Sequence, residues 1–381
     1  MNIFRTIIIA LFGLIFFYIA HQLTRFNDFP FVINIAILVF IGALFACVLA
    51  MPLYFWSTNR LERKSWHDAF FEAAHFSLAY LNFLAVFVIL RDLAAFILHF
   101  FYSSFTLEDL YGGDATFLVL ILPFFFLIAG TLVVRVGPQL KKVTLKFTEL
   151  PEGLENLRLL HITDLHVSRH LPKDFVRKLV DRAKGVQPDF VIYTGDILDD
   201  LASRHQNELN LLKEIPSKYG NYYVPGNHEY YWQIEQALTA FKSLGFHLLL
   251  NQSESFEING AALQIAGITD PAARMFQLEA PDLEKIKTGL SEDAFKILLA
   301  HQPQIAPEAA KTGFDLQLSG HTHGGQFFPW NFLIGFFQKY AKGLYYVSGL
   351  QVYVNQGTGY WGPSLRLGTF CELTEIVLTK I

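Results

Sequence analysis

Cysteine is nearly absent: the 381 residues contain two, Cys47 and Cys371, too few for a disulfide scaffold or a cysteine-rich zinc site. Charge is scarce as well. Asp, Glu, Lys and Arg make up 17% of the chain, against ~25% in soluble domains, and 30 basic against 34 acidic residues leave a net charge of −4. Without a basic excess there is no electrostatic case for nucleic acid, and none is expected as a partner. There is also no internal repeat and no low-complexity linker. What the chain does have is apolar residues, 52% of it, including 38 Phe. That excess excludes a disordered chain and places part of the protein in a membrane.

The apolar excess is unevenly spread. Residues 1–134 hold 23 of the 38 Phe but only 14 of the 64 charged side chains. The character changes near Arg135–Lys142, where Gly137-Pro138 punctuates the chain, so a transmembrane region over 1–137 and a second domain over 138–381 are expected. Four spans in the first region, Thr6–Leu23, Phe29–Trp56, Phe70–Phe101 and Ala115–Val134, approach or exceed the ~20 residues of helix that cross a ~30 Å hydrocarbon core. Nothing after Ile19-Ala20 resembles a small-residue cleavage site, so Thr6–Leu23 reads as a span and not as a signal peptide.

Basic residues in the short loops set the expected orientation. Arg60, Arg63 and Lys64 lie between the second and third spans, and Arg135, Lys141, Lys142 and Lys146 follow the fourth, whereas Tyr102–Asp114 carries Glu108, Asp109 and Asp114 and no base. A multi-pass protein of the inner or plasma membrane with a cytoplasmic second domain is therefore expected. The third span is the weak point. Arg91-Asp92 interrupts it, either as an intramembrane site or, the favoured reading, at the interface with Leu93–Phe105 along the surface. Two short crossings there would place the second domain outside.

From Val143 onward strands and helices alternate, as expected of an α/β domain. Five short apolar runs each end on polar residues able to bind a metal. Leu157–Thr163 leads to Asp164 and His166, Phe190–Thr194 to Asp196, Asn221–Val224 to Asn227, Phe295–Ala300 to His301, and Leu316–Leu318 to His321 and His323. Imidazole with carboxylate and amide oxygen suits manganese, iron or zinc, and the absence of thiolates argues against a structural zinc. Seven such groups are too many for one ion and suit two ions sharing a carboxylate. The glycines at 195, 226, 320 and 324 fit turns where backbone passes close to a ligand.

Read together, Asp164-Leu165-His166, Gly195-Asp196, Gly226-Asn227-His228-Glu229, His301 and Gly320-His321-Thr322-His323 resemble the calcineurin-like metallophosphoesterase superfamily over roughly Lys141–Ile381. The resemblance implies a pair of mixed β-sheets flanked by helices behind the four-helix transmembrane region. It implies two divalent metal ions, manganese foremost with iron or zinc as alternatives. One is held by Asp164, His166 and His323, the other by Asn227, His301 and His321, with Asp196 bridging. A hydroxide shared by two metals about 3.5–4 Å apart would attack phosphorus in line. His228 is implied to donate a proton at the leaving oxygen, and Glu229 stands where many members have Asp, at a position that is not a ligand.

Gly343–Tyr346, Val352–Gly359 and Pro363–Arg366 further resemble the membrane-associated bacterial branch, which includes enzymes splitting the pyrophosphate of UDP-2,3-diacylglucosamine. The expected activity is thus hydrolysis of a phosphodiester or pyrophosphate bond, in a phosphate-ester or lipid-pyrophosphate substrate. The alternatives are a broad phosphodiesterase or phosphomonoesterase merely anchored to the bilayer, and a metal-binding sensor without catalysis. Oligomeric state is not readable.

Other residues carry two readings each. Arg169 is either a phosphate contact or an exposed loop arginine. Asp199-Asp200 is expected to solvate a loop or cap a helix. His161 and His247 read as core or edge residues, and Cys47 and Cys371 as unpaired. Phe327–Phe337 is either core or a loop dipping into the lipid interface. The second reading is favoured, with Phe327, Phe328, Trp330, Phe332, Phe336 and Phe337 facing lipid and Lys339 and Lys342 available to anionic headgroups.

Overall fold

The computed structural model describes residues 3–57, 65–102, 106 and 108–381, in two compact units, 1–130 and 131–381. The first is helical: α1 (Ile3–Thr24), α2 (Phe31–Ser57), α3 (Ser65–Phe101), the short α4 (Glu108–Tyr111) and α5 (Gly113–Val136), which runs into the second unit. Among the described residues, three helices are long and apolar enough to cross a bilayer, over Phe31–Pro52, Trp66–Phe101 and Gly113–Val136, and the apolar stretch of α1, Ile9–Thr24, is shorter. Asp28 Oδ1 accepts from Gly113 N at 2.8 Å and so caps the start of α5. Arg60, Arg63, Lys64 and Phe105 lie outside the described residues.

The expected interruption of the third span is absent. Helix α3 continues through Arg91-Asp92 for 37 residues, ~55 Å at ~1.5 Å per residue, which leaves no turn for two short crossings. Arg91 is 6% exposed and donates through Nη2 to Gln22 O at 2.7 Å. Asp92 accepts from Tyr18 Oη at 2.5 Å and Tyr111 Oη at 2.9 Å. The two charges offset each other and find partners on α1 and α4, so the helix need not break to expose them. Past Asp92 the helix keeps Leu93, Phe96, Phe100 and Phe101 exposed.

The second unit is a sandwich of two mixed six-stranded sheets. One is ordered β1 (Gln139–Phe147), β12 (Glu372–Lys380), β2 (Arg158–Ile162), β3 (Phe190–Thr194), β4 (Asn221–Val224), β5 (His247–Leu248). The other is ordered β10 (Gly343–Val347), β11 (Leu350–Val354), β9 (Leu316–Ser319), β8 (Phe295–Leu299), β7 (Ala261–Gly267), β6 (Gln252–Ile258). β2 through β5 are parallel to one another, as are β7, β8, β9 and β11. Helices α6 (Phe175–Lys184), α7 (Gln206–Leu212), α8 (Asn227–Tyr231), α9 (Ile234–Ser243), α10 (Leu283–Lys287), α11 (Ala306–Thr312) and α12 (Trp330–Phe337) complete it.

Strand residues alternate between two cores because side chains repeat with a period of two. On β3, Phe190 and Ile192 enter the layer between the sheets, while Val191 and Tyr193 pack outward among residues of α6 and α9. On β8, Ile297 and Leu299 point between the sheets and Leu298 outward, into a cluster with Ile286 of α10 and Ala309 of α11. Strands covered on both faces read as continuous apolar runs, and each fully buried side chain of this size contributes about 1.5–3 kcal/mol. That rigidity holds the strand ends in place.

Candidate metal centre

All five predicted strand ends deliver their polar residues to one place, outside the carboxyl ends of parallel strands. Asp164, His166, Asp196, His321 and His323 all have positive φ, between 50° and 74°. Such values are uncommon for residues with a Cβ and mark turns over-determined by their surroundings. Two glycines leave the needed room: a Cβ on Gly226 would collide with the Asp196 carboxylate, and one on Gly320 with that of Asp164.

The side chains converge in overlapping groups: Asp164, His166 and His323; His166, Asp196 and His228; and Asp196, His301 and His321, the ligand atoms of each lying within 4.8 Å of one another. In the first, His166 Nε2 is 3.1 Å from His323 Nε2, which is 3.4 Å from Asp164 Oδ1. In the last, His301 Nε2 lies 3.2 Å from Asp196 Oδ2, 3.2 Å from Asn227 Oδ1 and 3.2 Å from His321 Nδ1. Asp196 joins them. Its Oδ1 accepts from His228 N at 2.8 Å, leaving Oδ2 between His301 Nε2 and His166 Nε2, 3.9 Å away.

This donor set fits two divalent cations. The Thr194 carbonyl can only accept, so the 2.8 Å contact from His301 Nδ1 assigns the proton to that nitrogen and turns Nε2 toward the site. Three oxygen and nitrogen lone pairs then face that nitrogen with at most one proton among them, a crowding that a cation relieves. Burial, first, and the charge of neighbouring imidazoles push His166 down to about 4 and His321 down to about 3, so both present neutral rings at pH 7. Burial would raise Asp196, but His301 and His228 outweigh it and hold the carboxyl well below the usual range. Burial would lower His301, but Asp196 and Asp164 outweigh it and hold it well above the usual range, so its Nε2 bears the proton that a bound cation would displace. Imidazoles with ionised carboxylates then suit manganese, iron or zinc.

His228 stands beside the shared carboxylate, its Nε2 4.0 Å from Asp196 Oδ2 and its Nδ1 2.7 Å from Asp199 Oδ1. Burial pulls its pKa down, yet the charges of Asp199 and Asp196 prevail and push it up to about 9. Asp199 therefore orients a charged imidazole and also accepts from Trp232 Nε1 at 2.8 Å. This corrects the solvating or capping expectation for Asp199. The sequence hides the role because His228 lies 29 residues away. Asp200 fits that expectation better, pairing with Arg204 and His205 at the start of α7.

Two further residues were not legible as site residues. Glu229 is fully buried and accepts from the backbone N–H groups of Asp196, Ile197, Leu198 and Gly226, at 2.7–3.0 Å, locking the two ligand turns together. Arg366, also fully buried, donates to the carbonyls of Gly359, His323, Gln356 and Gly357, and its Nη2 lies 3.2 Å from His323 Nδ1. The loop it grips bonds back to the Asp164 turn, through Thr358 N to Thr163 O and Gly359 N to Asp164 O. It braces ligands from both ends of the motif.

Arg169 Nε lies 4.0 Å from Asp200 Oδ2, with a 41% exposed side chain. His161 is buried, with Nε2 2.7 Å from Thr194 Oγ1, and His247 lies at the exposed edge against Glu254. Cys47 and Cys371 are unpaired. Of the aromatic run, Phe327 is buried and so leaves the expected lipid-facing set, and Phe328 is half-buried. Phe327 turns inward because its strand-like bridge to Leu367 ties it to the domain. Trp330, Phe332, Phe336 and Phe337 are exposed on α12, which has no buried residue.

A calcineurin-like phosphoesterase profile matches residues 157–325, which contain every ligand named above. The chain is 37% identical over 243 residues to an uncharacterized metallophosphoesterase of Campylobacter jejuni, covering 63% of each chain. It is 33% identical over 274 residues to a transmembrane protein with metallophosphoesterase domain of Danio rerio, covering 70% of this chain and 63% of that one. It is 32% identical over 236 residues to an uncharacterized metallophosphoesterase of Aquifex aeolicus, covering 60% of this chain and 87% of the relative. The chain thus spans a little under two thirds of the length of the first two relatives.

Proposed function

The chain belongs to the calcineurin-like metallophosphoesterase family, and on that premise we propose that it is a membrane-anchored hydrolase of a phosphodiester or pyrophosphate bond in a lipid-linked substrate. The observation that carries the hydrolase reading is the sharing of Asp196 Oδ2 between two ligand groups, with a charged His228 beside it. Asp164, His166 and His323 would hold one divalent cation and Asn227, His301 and His321 the other, manganese being the first candidate. Two such ions, when bound, supply Lewis-acid stabilisation of phosphoryl charge and lower the pKa of an attacking water.

The protein's own part is positional. Asp199 accepts the Nδ1 proton of His228, so Nε2 carries the proton that faces the leaving oxygen. Glu229 and Arg366 hold the ligand turns still, which keeps the donors aimed where charge develops. A sensor needs no proton donor of this kind next to a shared carboxylate. The lipid-linked substrate is supported by the apolar N-terminal helices and by the exposed aromatic α12 next to the His323 turn. The basic residues after α5 support a cytoplasmic placement of the domain.

The test compares purified full-length protein in lipid nanodiscs with Mn²⁺ on UDP-2,3-diacylglucosamine and on a soluble aryl phosphodiester, each against Asp196→Ala. A preference for the nucleotide lipid of tenfold or more is expected. Equal rates on both would replace the lipid reading with a broad phosphodiesterase on an anchor, and no Asp196-dependent hydrolysis of either would sink the enzyme reading.

A further inference from the structure

From Gln139 onward, nine of the twelve exposed large hydrophobic side chains fall in three short segments: Met275–Leu278, α12 and Trp361. These segments are far apart in sequence but meet around the metal centre. The Trp361 ring lies 5.8 Å from that of His228, Tyr231 lies 5.4 Å from it on another side, and Phe276 lies 6.4 Å from Tyr231. Gln326 closes the circuit: its Nε2 donates to Trp361 O at 2.9 Å and its Oε1 accepts from Trp361 N at 3.0 Å. It follows directly on the His323 turn, and α12 begins four residues later, so close to that turn that a Cβ on Gly325 would strike the Trp330 carbonyl.

On α12, Phe332, Phe336 and Phe337 are 71–83% exposed, which water disfavours for a cluster of this size. The charge pattern is one-sided. No Asp or Glu occurs between Asp315 and Glu372, while Lys339 and Lys342 follow α12 directly. On α12, aromatic side chains beside lysines are the composition of a surface seated at a lipid interface with anionic headgroups, and Glu279, the acid that follows Met275–Leu278, is paired with Lys285 at 2.6 Å. Among the described residues three helices are long and apolar enough to cross a bilayer, which would keep a lipid surface with the domain.

We infer that the mouth of the metal centre is a lipid-docking surface, in which α12, Trp361 and Met275–Leu278 enter the headgroup region of an anionic bilayer and present the metal centre to phosphate groups at that depth. This deepens the lipid-linked reading and rests on it for the substrate, but the docking itself is measurable without turnover. An amphiphile would then reach His228 with its acyl chains still in the membrane.

The test uses full-length Asp196→Ala protein in nanodiscs of phosphatidylcholine with 30 mol% phosphatidylglycerol, with ordinary or dibrominated acyl chains. Subtracting the emission of the Trp330→Phe variant isolates Trp330. Its signal is expected to fall at least twofold in brominated discs, and to recover in part when phosphatidylglycerol is omitted. A Trp330 signal that is blue-shifted yet indifferent to bromine would mean that protein, from this chain or a second copy, covers the surface, and would overturn the inference. So would a red-shifted, water-exposed signal. Because the variant is inactive, docking without turnover in the native protein would remove the lipid hydrolase reading and leave the surface. Turnover of the nucleotide lipid without quenching would do the reverse.

Discussion

Each unit of the chain buries an arginine, and the two are satisfied differently. Arg91 in the helical unit has its counter-charge next door, with Nε 3.6 Å from Asp92 Oδ1, and stacks on the Tyr111 ring at 4.4 Å. The pair is neutral overall, and its bonds run to α1 and α4, so it acts as a pin between helices. Arg366 in the second unit has carbonyls, a hydroxyl, the Cys371 thiol and a ligand imidazole as its hydrogen-bond partners, and no carboxylate. Burial works against its charge, and the Asp164 and Glu372 carboxylates favour it from further off. A charge paired on its own helix pins neighbouring helices, and one that grips the carbonyls of ligand turns positions the site.

The largest effect that would break this contrast is on Asp196. Asp196→Asn should cut hydrolysis by roughly 10³-fold and reduce bound metal measured by mass spectrometry, with the circular dichroism spectrum unchanged. Equal metal content and near-native rates would mean that the shared carboxylate is not the centre of the site. His228→Ala comes next, with a loss of about 10²-fold in kcat and little change in metal content, since in the proposed reaction the ring donates a proton and holds no cation. A parallel loss of metal would recast His228 as a ligand.

The arginines sharpen the comparison through stability. Arg366→Met strands four carbonyls at the ligand turns and should destabilise the domain by about 3–5 kcal/mol, lowering Tm by roughly 10 °C. Arg91→Met alone should also be costly, because it leaves the half-buried Asp92 without its cation. The double variant Arg91→Met, Asp92→Asn should recover most of that loss, since removing both members of a buried pair is often near neutral. Thermal unfolding in detergent measures both. If the double variant is no better than the single one, Arg91 has a role beyond pairing.

Legibility in the sequence followed the same division. The ligands were readable because each sits just past a short apolar strand, and the strand runs Phe190–Thr194 and Asn221–Val224 match the observed β3 and β4 residue for residue. The mixed two-sheet architecture followed from the resemblance those motifs carry. Arg366, Asp199 and Gln326 were not readable, because each acts across 29 to 43 residues on a partner that only the tertiary fold supplies. The course of α3 was misread for a related reason. A charged pair inside an apolar run looks like a place for the chain to change course, whereas here the helix runs on and the pair is held by Tyr18 and Tyr111 from other helices.

The smallest effect is also the most discriminating for the catalytic unit. In the protein's own field His228 is protonated below about 9, because Asp199 and Asp196 outweigh the burial that opposes its charge. A protonated donor means that kcat falls as pH rises through that group's pKa, and bound divalent cations, being positive, place the fall below 9. Asp199→Asn removes one of the three carboxylate charges that favour the proton, so the descending limb should move to lower pH by about one unit while the plateau at acid pH is largely kept. A residue that merely packed against His228 would lower the whole profile without moving the limb. An unmoved limb would therefore return Asp199 to a structural part and leave the charge on His228 to Asp196 and Glu229.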